Sequence, residues 1–268
     1  DYSERLLGIV DPRNGAIDLY PAATKDSGAF SASVYGVRPF IKMNFQDSYD
    51  DVSTLAHELG HAIHSSLSMS SQPYLTSRYV PFLAEVASTA NEVLLSKYMV
   101  AHATSDTERA WYLSELVETI RTTIYRQTLF AEFELRLHEL VEAGEPVTAE
   151  RLNAIYGGLI ADYYGPGYTM DPDDPVEWAY IPHFYFKYYV FTYATGLASG
   201  AAIAERVATG DPAARDAYLE MLEGGNSKPP LELLKGAGVD LTKPDAIAAA
   251  LELFDRTLTE LEEILVED

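Results

Sequence analysis

Apolar side chains recur at the three- and four-residue spacing of amphipathic helices over most of the chain after residue 46. The longest such stretch begins at Ser105, with an S-x-x-E capping sequence, and ends at Gly144. The first 46 residues differ, because short β-prone segments alternate there with glycine, proline and charged residues. We therefore predict a mainly α fold in one domain of 268 residues, with a small antiparallel β-sheet in residues 1–46 and helices in residues 47–268.

The composition disfavours several classes of protein. Acidic residues outnumber basic ones by 41 to 19, and the formal net charge of −22 opposes binding to nucleic acids and to anionic membrane surfaces. The longest apolar runs are much shorter than the roughly 20 residues that a membrane-spanning helix needs. The first residues carry no secretory signal and the chain has no cysteine, so we expect a cytoplasmic protein. The pattern predicts no particular oligomeric state.

The segment HELGHAIH combines an HExxH motif with a helical pattern. On a helix, His57 and His61 lie on one face about one turn apart, so that both imidazoles can bind a single ion. Glu58 is rotated from His57 by about 100° and borders that face, where it can contact a water molecule beside the ion. Two neutral imidazoles suit zinc, and the apolar neighbours indicate a buried helix in which unpaired polar groups would be costly. We therefore predict one catalytic zinc ion at this helix.

A catalytic zinc ion takes a third protein ligand. His64 shares the face of His57 but lies seven residues from it, about 10 Å along the helix axis, which is too far for one ion. Glu85 is the better candidate, because it is an acidic residue within an apolar helical pattern, with Ser88 and Glu92 following on the same face. The polar groups expected around the ligands are Ser88, Glu92 and His64.

Three motifs occur in order along the chain: TLAHELGHAIHSSL, FLAEVASTANE and IPHFYFKYYVFTYATG. In sequence and spacing they resemble those of the oligoendopeptidase F branch of the thimet oligopeptidase family of zinc peptidases, and the similarity extends to about residue 200. The resemblance implies a helical zincin catalytic domain that cleaves short peptides in a deep channel. Because members of this family are typically about twice as long, it also implies an N-terminal helical half that is missing from this chain and forms one wall of the channel.

The third motif contains candidate groups that contact the substrate. The resemblance implies that His183 and at least one tyrosine bind the substrate or stabilise the oxyanion of the intermediate. On a helix, Tyr185, Tyr189 and Tyr193 would fall at i, i+4 and i+8 and form one stripe of hydroxyl groups. We predict catalytic roles for His183 and Tyr189. Tyr185 and Tyr193 are predicted to bind the substrate.

The segment VRPFIKMNF resembles the strand with which this family pairs its extended substrate. An edge strand binds peptides through backbone hydrogen bonds and so accepts many different side chains. We predict that VRPFIKMNF is such an edge strand, and that Tyr35 and Gly36, which precede it, contact the substrate.

The predicted function is that of a zinc-dependent oligoendopeptidase in which Glu58 is the general base for the attacking water. Two alternatives are left open. A zinc carboxypeptidase or dipeptidase would need a cation for the terminal carboxylate of its substrate, and the candidates near the motifs are Arg38, Arg78 and Lys187. In an inactive metal- or peptide-binding module, replacement of Glu58 would change nothing measurable.

Overall fold

The computed structural model describes residues 2–267. The chain divides into two compact units. The first unit comprises the residues up to Glu118 together with those from Thr195 onward, and the second comprises Thr119–Ala194. The expectation of one domain over the whole chain stays a prediction.

Ten α-helices account for most of the described residues, so the mainly α fold is confirmed. A π-helical turn, Arg121–Tyr125, lies between the fourth and the fifth helix, in the long stretch that the sequence predicted as helical. In chain order the helices are α1 (Tyr2–Val10), α2 (Tyr49–Ser71), α3 (Pro81–His102), α4 (Asp106–Ile120), α5 (Arg126–Glu142), α6 (Ala149–Tyr164), α7 (Phe191–Ala208), α8 (Pro212–Glu223), α9 (Pro230–Gly236) and α10 (Asp245–Glu267).

A small sheet of three strands precedes α2. The strands are β1 (Ile17–Asp18), β2 (Phe30–Ala32) and β3 (Phe40–Lys42), in the spatial order β1-β3-β2. Strand β3 pairs antiparallel with β2 but parallel with β1, so the sheet is mixed and the prediction of an antiparallel sheet is wrong. Since β3 lies between the other two strands, the prediction that VRPFIKMNF forms an edge is also wrong. Strand β1 has only two residues and lies within AIDLYP, one of the β-prone segments of the sequence.

Helix α2, which carries the HExxH motif, begins at a capping box. The side-chain oxygen of Ser48 accepts a hydrogen bond from the backbone N–H of Asp51, and the carboxylate of Asp51 accepts one from the backbone N–H of Ser48. The buried face of α2 packs against α3 in the core of the first unit, through Leu59, Ala62, Ile63 and Leu67 on one side and Leu83, Val86, Ala87 and Ala90 on the other. This core fixes the metal motif relative to the helix that carries Glu85.

Glycine residues allow two helices to approach α3 closely. A Cβ atom added to Gly60 of α2 would lie 2.6 Å from the carbonyl oxygen of Ala87 and 2.7 Å from Cα of Ser88. A Cβ atom added to Gly196 of α7 would lie 2.5 Å from Cβ of Glu85. The part of α3 that carries Glu85 is therefore packed against backbone at both positions, which restricts where its side chain can lie.

We expect the substitution Gly60→Ala to lower the free energy of unfolding of the metal-free protein by about 1–3 kcal/mol, because the added methyl group overpacks a contact between two backbones. The matched control is Gly158→Ala in α6, where a Cβ atom would meet nothing within 4 Å. That substitution is expected to raise the free energy of unfolding by about 0.4–1 kcal/mol, since alanine favours the helix. Denaturant titration of both variants measures the two effects, and a Gly60→Ala variant as stable as the parent would contradict the close approach.

The second unit is built around α5 and α6. Its core contains aromatic side chains from both helices, and Phe133 packs edge-on against Tyr156 with ring centroids 5.2 Å apart. Two 3-10 turns follow α6, at Asp174–Tyr180 and Pro182–Tyr185, and their residues Trp178 and Phe184 cover this core. Within residues 2–267, no helix combines the length and the apolar composition needed to cross a membrane.

Candidate active site

Helix α2 brings the two histidines of the HExxH motif together. Nε2 of His57 lies 3.2 Å from Nε2 of His61, as expected for residues one turn apart. Oε2 of Glu85, on α3, lies 3.4 Å from Nε2 of His57 and 3.5 Å from Nε2 of His61. The three atoms form a nearly equilateral triangle, and these three residues form a group that could hold a metal ion.

This triangle fits a tetrahedral zinc ion. Nitrogen and oxygen ligands bound to zinc at about 2.0–2.2 Å lie about 3.3–3.6 Å from one another. The three distances here are 3.2, 3.4 and 3.5 Å. Two imidazoles and one carboxylate also form the donor set of catalytic zinc sites that keep a fourth position for water or substrate. The residues that would hold the metal, His57, His61 and Glu85, are those predicted as ligands from the sequence.

Two further side chains contact these three residues. Nδ1 of His57 lies 3.1 Å from Oε2 of Glu92, and the hydroxyl of Ser88 donates a hydrogen bond of 3.0 Å to Oε2 of Glu85. A proton on Nδ1 satisfies the contact with Glu92 and leaves the lone pair of Nε2 for a metal. Ser88 and Glu92 thus lie where the sequence placed them, beside the ligands.

The buried groups of His57 and Glu85 shift each other's pKa. Burial alone would lower the pKa of His57, but Glu92 and Glu85 outweigh this effect and raise the pKa well above its usual value. Burial alone would raise the pKa of Glu85, but hydrogen bonds to His57 and His61 hold it well below its usual range. Because a metal binds the unprotonated nitrogen of an imidazole, metal binding at His57 competes with protons.

Glu58, which directly follows His57 in the sequence, has a buried carboxyl group. Only 6% of its surface is exposed, and its Oε2 has no hydrogen-bond partner among the residues described. Burial raises the pKa of Glu58, although His57 and His61 counteract part of this effect. A buried carboxylate oxygen without a partner is costly, and such a group is suited to accept a proton from a water molecule that enters the site.

His64 makes a different set of contacts from the one that the sequence predicted. Its ring is fully buried and stacks on Tyr79 with ring centroids 3.6 Å apart. Neither ring nitrogen finds a hydrogen-bond partner within the described part of the chain, and burial lowers the pKa of His64 to about 3. His64 is therefore neutral and packs behind the motif, where the hydroxyl of Tyr79 in turn donates to the backbone oxygen of His61 over 3.4 Å.

The stretch IPHFYFKYYVFTYATG does not form one helix. A 3-10 turn covers Pro182–Tyr185, and α7 begins only at Phe191. Between them Tyr188 adopts a left-handed backbone conformation, with φ of 54°, which interrupts helical geometry. The predicted helical stripe of three tyrosines is therefore wrong, and its first member, Tyr185, is 87% exposed.

His183, Tyr189 and Tyr193 nevertheless lie together, and we term these three side chains the His–Tyr cluster. The ring centroid of His183 lies 5.9 Å from that of Tyr189 and 5.8 Å from that of Tyr193, and the two tyrosine rings are 5.4 Å apart. The hydroxyl of Tyr193 lies 3.3 Å from Nε2 of His183. The cluster thus contains both residues of the third motif that were predicted to be catalytic.

Tyr35 and Gly36 lie in the loop between β2 and β3. Gly36 has φ of 79°, a conformation that glycine adopts readily, and a backbone hydrogen bond of 2.9 Å from Val37 to Val34 closes the turn. The hydroxyl of Tyr35 donates to the carbonyl oxygen of Gln72, just after α2, over 3.3 Å. The loop is therefore tied to the end of the helix that carries the metal motif.

Sequence reasoning missed Glu134. This residue of α5 is only 2% exposed, and its carboxylate accepts a hydrogen bond of 2.6 Å from the backbone N–H of Tyr188. A signal for it exists in the sequence, because Glu134 occupies the helical face of Phe130. An acidic residue at a core position of an amphipathic helix is the same signal that identified Glu85.

Two histidines of an HExxH helix together with a glutamate of the next helix define the class of HExxH metallopeptidases. The sequence pattern of Peptidase family M3 matches residues 1–253. The chain belongs to this family.

Known relatives agree with this assignment. Over 253 residues the chain is 40% identical to Oligopeptidase PepF of Bacillus subtilis, in a match that covers 94% of this chain and 38% of the relative. The crystal structure of oligoendopeptidase-F from Enterococcus faecium superposes with a TM-score of 0.72 at 40% identity, over 82% of this chain and 40% of the other. A crystal structure from Chlamydophila abortus gives a TM-score of 0.84 at 37% identity, over 98% of this chain and 44% of the other. The resemblance to the oligoendopeptidase F branch is confirmed, and the chain spans less than half the length of these relatives.

Proposed function

We propose that the protein hydrolyses internal bonds of short peptides as an oligoendopeptidase that depends on one zinc ion. The observation that carries this proposal is the triangle of donor atoms from His57 and His61 on α2 and Glu85 on α3. Beside it in the sequence of α2 lies the buried Glu58, whose Oε2 has no hydrogen-bond partner among the residues described. The names of the relatives support it, because one is an oligopeptidase and another an oligoendopeptidase. The proposal includes an N-terminal helical half in addition to this chain. The share of the relatives that the chain covers, 38% and 40%, leaves room for such a half.

In the proposed reaction Glu58 is the general base. Zinc, when bound, would supply a Lewis acid that polarises the scissile carbonyl group and makes water more acidic. Glu58 would take a proton from the attacking water and return it to the nitrogen of the leaving amine, so that the proton lost by the nucleophile leaves with the product. Burial raises the pKa of Glu58. A higher pKa suits both steps, because the group must first accept and then donate a proton.

The roles of His183 and Tyr189 are part of the same proposal. Imidazole and phenol groups can donate hydrogen bonds to a carbonyl oxygen or to an oxyanion, and removal of one such donor typically costs about 3–4 kcal/mol of transition-state stabilisation. The resemblance of the third motif to that of the family supports these roles. The contact of Tyr193 with Nε2 of His183 suggests that Tyr193 orients the imidazole.

We propose that β2, and not β3, is the strand that pairs with the substrate. Strand β3 is paired on both sides, whereas β2 pairs only with β3 among the residues described. Strand β2 also packs against α2, so that a peptide added to its free edge would extend the sheet that covers the metal helix. Tyr35 and Gly36 belong to the loop that follows β2 and are the proposed contacts of this peptide.

Internally quenched peptides that are blocked at both ends test the proposed function. We expect the zinc-loaded chain to cut them at internal bonds, and a chelator to stop the reaction until zinc is restored. Release of terminal residues from free peptides, with no cleavage of the blocked ones, would instead identify a carboxypeptidase or dipeptidase. A chain that binds zinc but cuts neither kind of peptide would be an inactive binding module.

A further inference from the structure

Glu134 is a buried carboxylate that the proposed reaction does not use. It lies in the aromatic core of the second unit, directly after Phe133, and is 2% exposed. A carboxylate at such a position is costly unless it is hydrogen-bonded. Its Oε1 accepts a hydrogen bond of 2.6 Å from the backbone N–H of Tyr188, which is 54 residues further along the chain.

Tyr188 has a strained backbone. Its φ of 54° places a bulky side chain in the left-handed region, which persists only where the surroundings impose it. Burial of the ring does not impose this conformation, because Tyr188 is 40% exposed. Its ring packs against that of His138, one helical turn after Glu134 on α5, with centroids 4.7 Å apart. Helix α5 thus holds Tyr188 by one backbone hydrogen bond and one ring contact.

The turn at Tyr188 connects two fixed points of the chain. Before the turn, Phe184 packs against Phe130 and Phe133 with centroids 5.8 and 5.2 Å apart. After the turn, Val190 is 1% exposed. The left-handed residue changes the direction of the chain between these points, and the first member of the His–Tyr cluster precedes the turn while the other two follow it. The left-handed turn at Tyr188 is therefore part of the path by which the chain passes from His183 to Tyr189 and Tyr193.

We propose that Glu134 is a positioning residue, whose carboxylate holds Tyr188 in the left-handed conformation and thereby brings the His–Tyr cluster together. This inference rests on the proposed function, in which the cluster binds the substrate. Glu134 itself touches no substrate. The metal ligands lie on α2 and α3, so the loss of the hydrogen bond should affect the reaction rate without affecting zinc content.

The substitution Glu134→Leu removes the acceptor and keeps an apolar side chain of similar size. We expect kcat to fall by about 10- to 100-fold, which is typical when binding groups are misplaced by about an ångström. KM should change less, because the cluster acts mainly on the transition state. The matched variant Glu134→Gln keeps an oxygen that can accept from the same N–H, so it should retain most of the parent kcat. Parent-like kcat in Glu134→Leu, with zinc bound, would overturn the proposal.

Substitutions of Tyr188 distinguish a positioning role of Glu134 from a general effect of Glu134 on the stability of the core. Glycine adopts the left-handed conformation without strain and alanine does not. In a Tyr188→Gly background the turn needs no support, so Glu134→Leu should lower kcat only slightly there. In a Tyr188→Ala background, which also lacks the ring, Glu134→Leu should lower kcat as strongly as in the parent. An equal loss in both backgrounds would mean that Glu134 acts through core stability and would overturn the inference.

Nuclear magnetic resonance tests the contact independently of activity. The amide proton of Tyr188 should resonate downfield and exchange slowly in the parent, and Glu134→Leu should shift it upfield together with the resonances of the ring of His183. If the parent chain cuts no peptide while this response is observed, the proposed function fails and the positioning contact stands. If peptides are cut but the Tyr188 resonance is unchanged by Glu134→Leu, the positioning role fails and the proposed function stands.

Discussion

The substitution Glu58→Gln is expected to lower kcat by about 10²- to 10⁴-fold, the contribution typical of general acid–base catalysis. Glutamine has the size and shape of glutamate but cannot accept the proton from the attacking water. The effect should appear in kcat and in kcat/KM alike, because the proton moves only in the transition state. Steady-state kinetics on a blocked, internally quenched peptide measures both constants.

The metal content of the Glu58→Gln variant is the control for this prediction. Glu58 is not one of the three residues of the donor triangle, so the variant should bind zinc as the parent does. Zinc bound per chain is measured after dialysis, by atomic emission. A variant that keeps its zinc and still turns over at the parent rate would exclude Glu58 as the base. A variant that loses its zinc would place Glu58 among the ligands instead.

The substitution Glu85→Ala is expected to abolish stable zinc binding and with it all peptidase activity. Glu85 supplies the one oxygen of the triangle and is only 5% exposed, so water would have to enter a buried position to replace it. Its removal also takes away the one negative charge among the three ligands, which balances part of the charge of the ion. Competition with a chromophoric chelator measures the affinity.

Two matched variants make this prediction specific. Glu92→Gln removes the charge that contacts Nδ1 of His57 but leaves all three ligands, so the zinc affinity should fall by about 10- to 100-fold. Glu263→Ala, at an exposed position of α10, should leave the affinity unchanged. From the highest to the lowest zinc affinity, the expected order is therefore Glu263→Ala, Glu92→Gln, Glu85→Ala. Unchanged zinc binding in Glu85→Ala would contradict the assignment of the third ligand.

Much of the metal site could be read from local patterns. His57 and His61 lie on one helix, and the regular geometry of a helix determines their relation without any tertiary contact. Glu85 was identifiable because an acidic residue inside an apolar helical pattern needs a partner. The distances of 3.4 and 3.5 Å from Glu85 to the two histidines agree with that reasoning, but the packing of α2 on α3 through Gly60 produces them.

The third motif could be recognised from sequence, but its conformation could not be predicted. Its aromatic residues have the spacing of a helix, yet Tyr188 leaves helical geometry where the carboxylate of Glu134 binds its backbone. The spacing rule describes contacts within one helix and contains no information about a hydrogen bond between residues 54 positions apart. The position of β3 in its sheet could not be predicted either, since the sequence of one strand does not show whether one or two strands pair with it.

The sequence alone therefore determined the helical class, the HExxH motif with Glu85 as the candidate third ligand, and the residues that compose the third motif. Each of these depends on the side chains of one segment and on the period of one helix. The tertiary structure decided which strand is an edge, how His183, Tyr189 and Tyr193 meet, and which backbone group Glu134 binds. Each of these depends on a contact between segments far apart in the chain, and local spacing carries no information about such contacts.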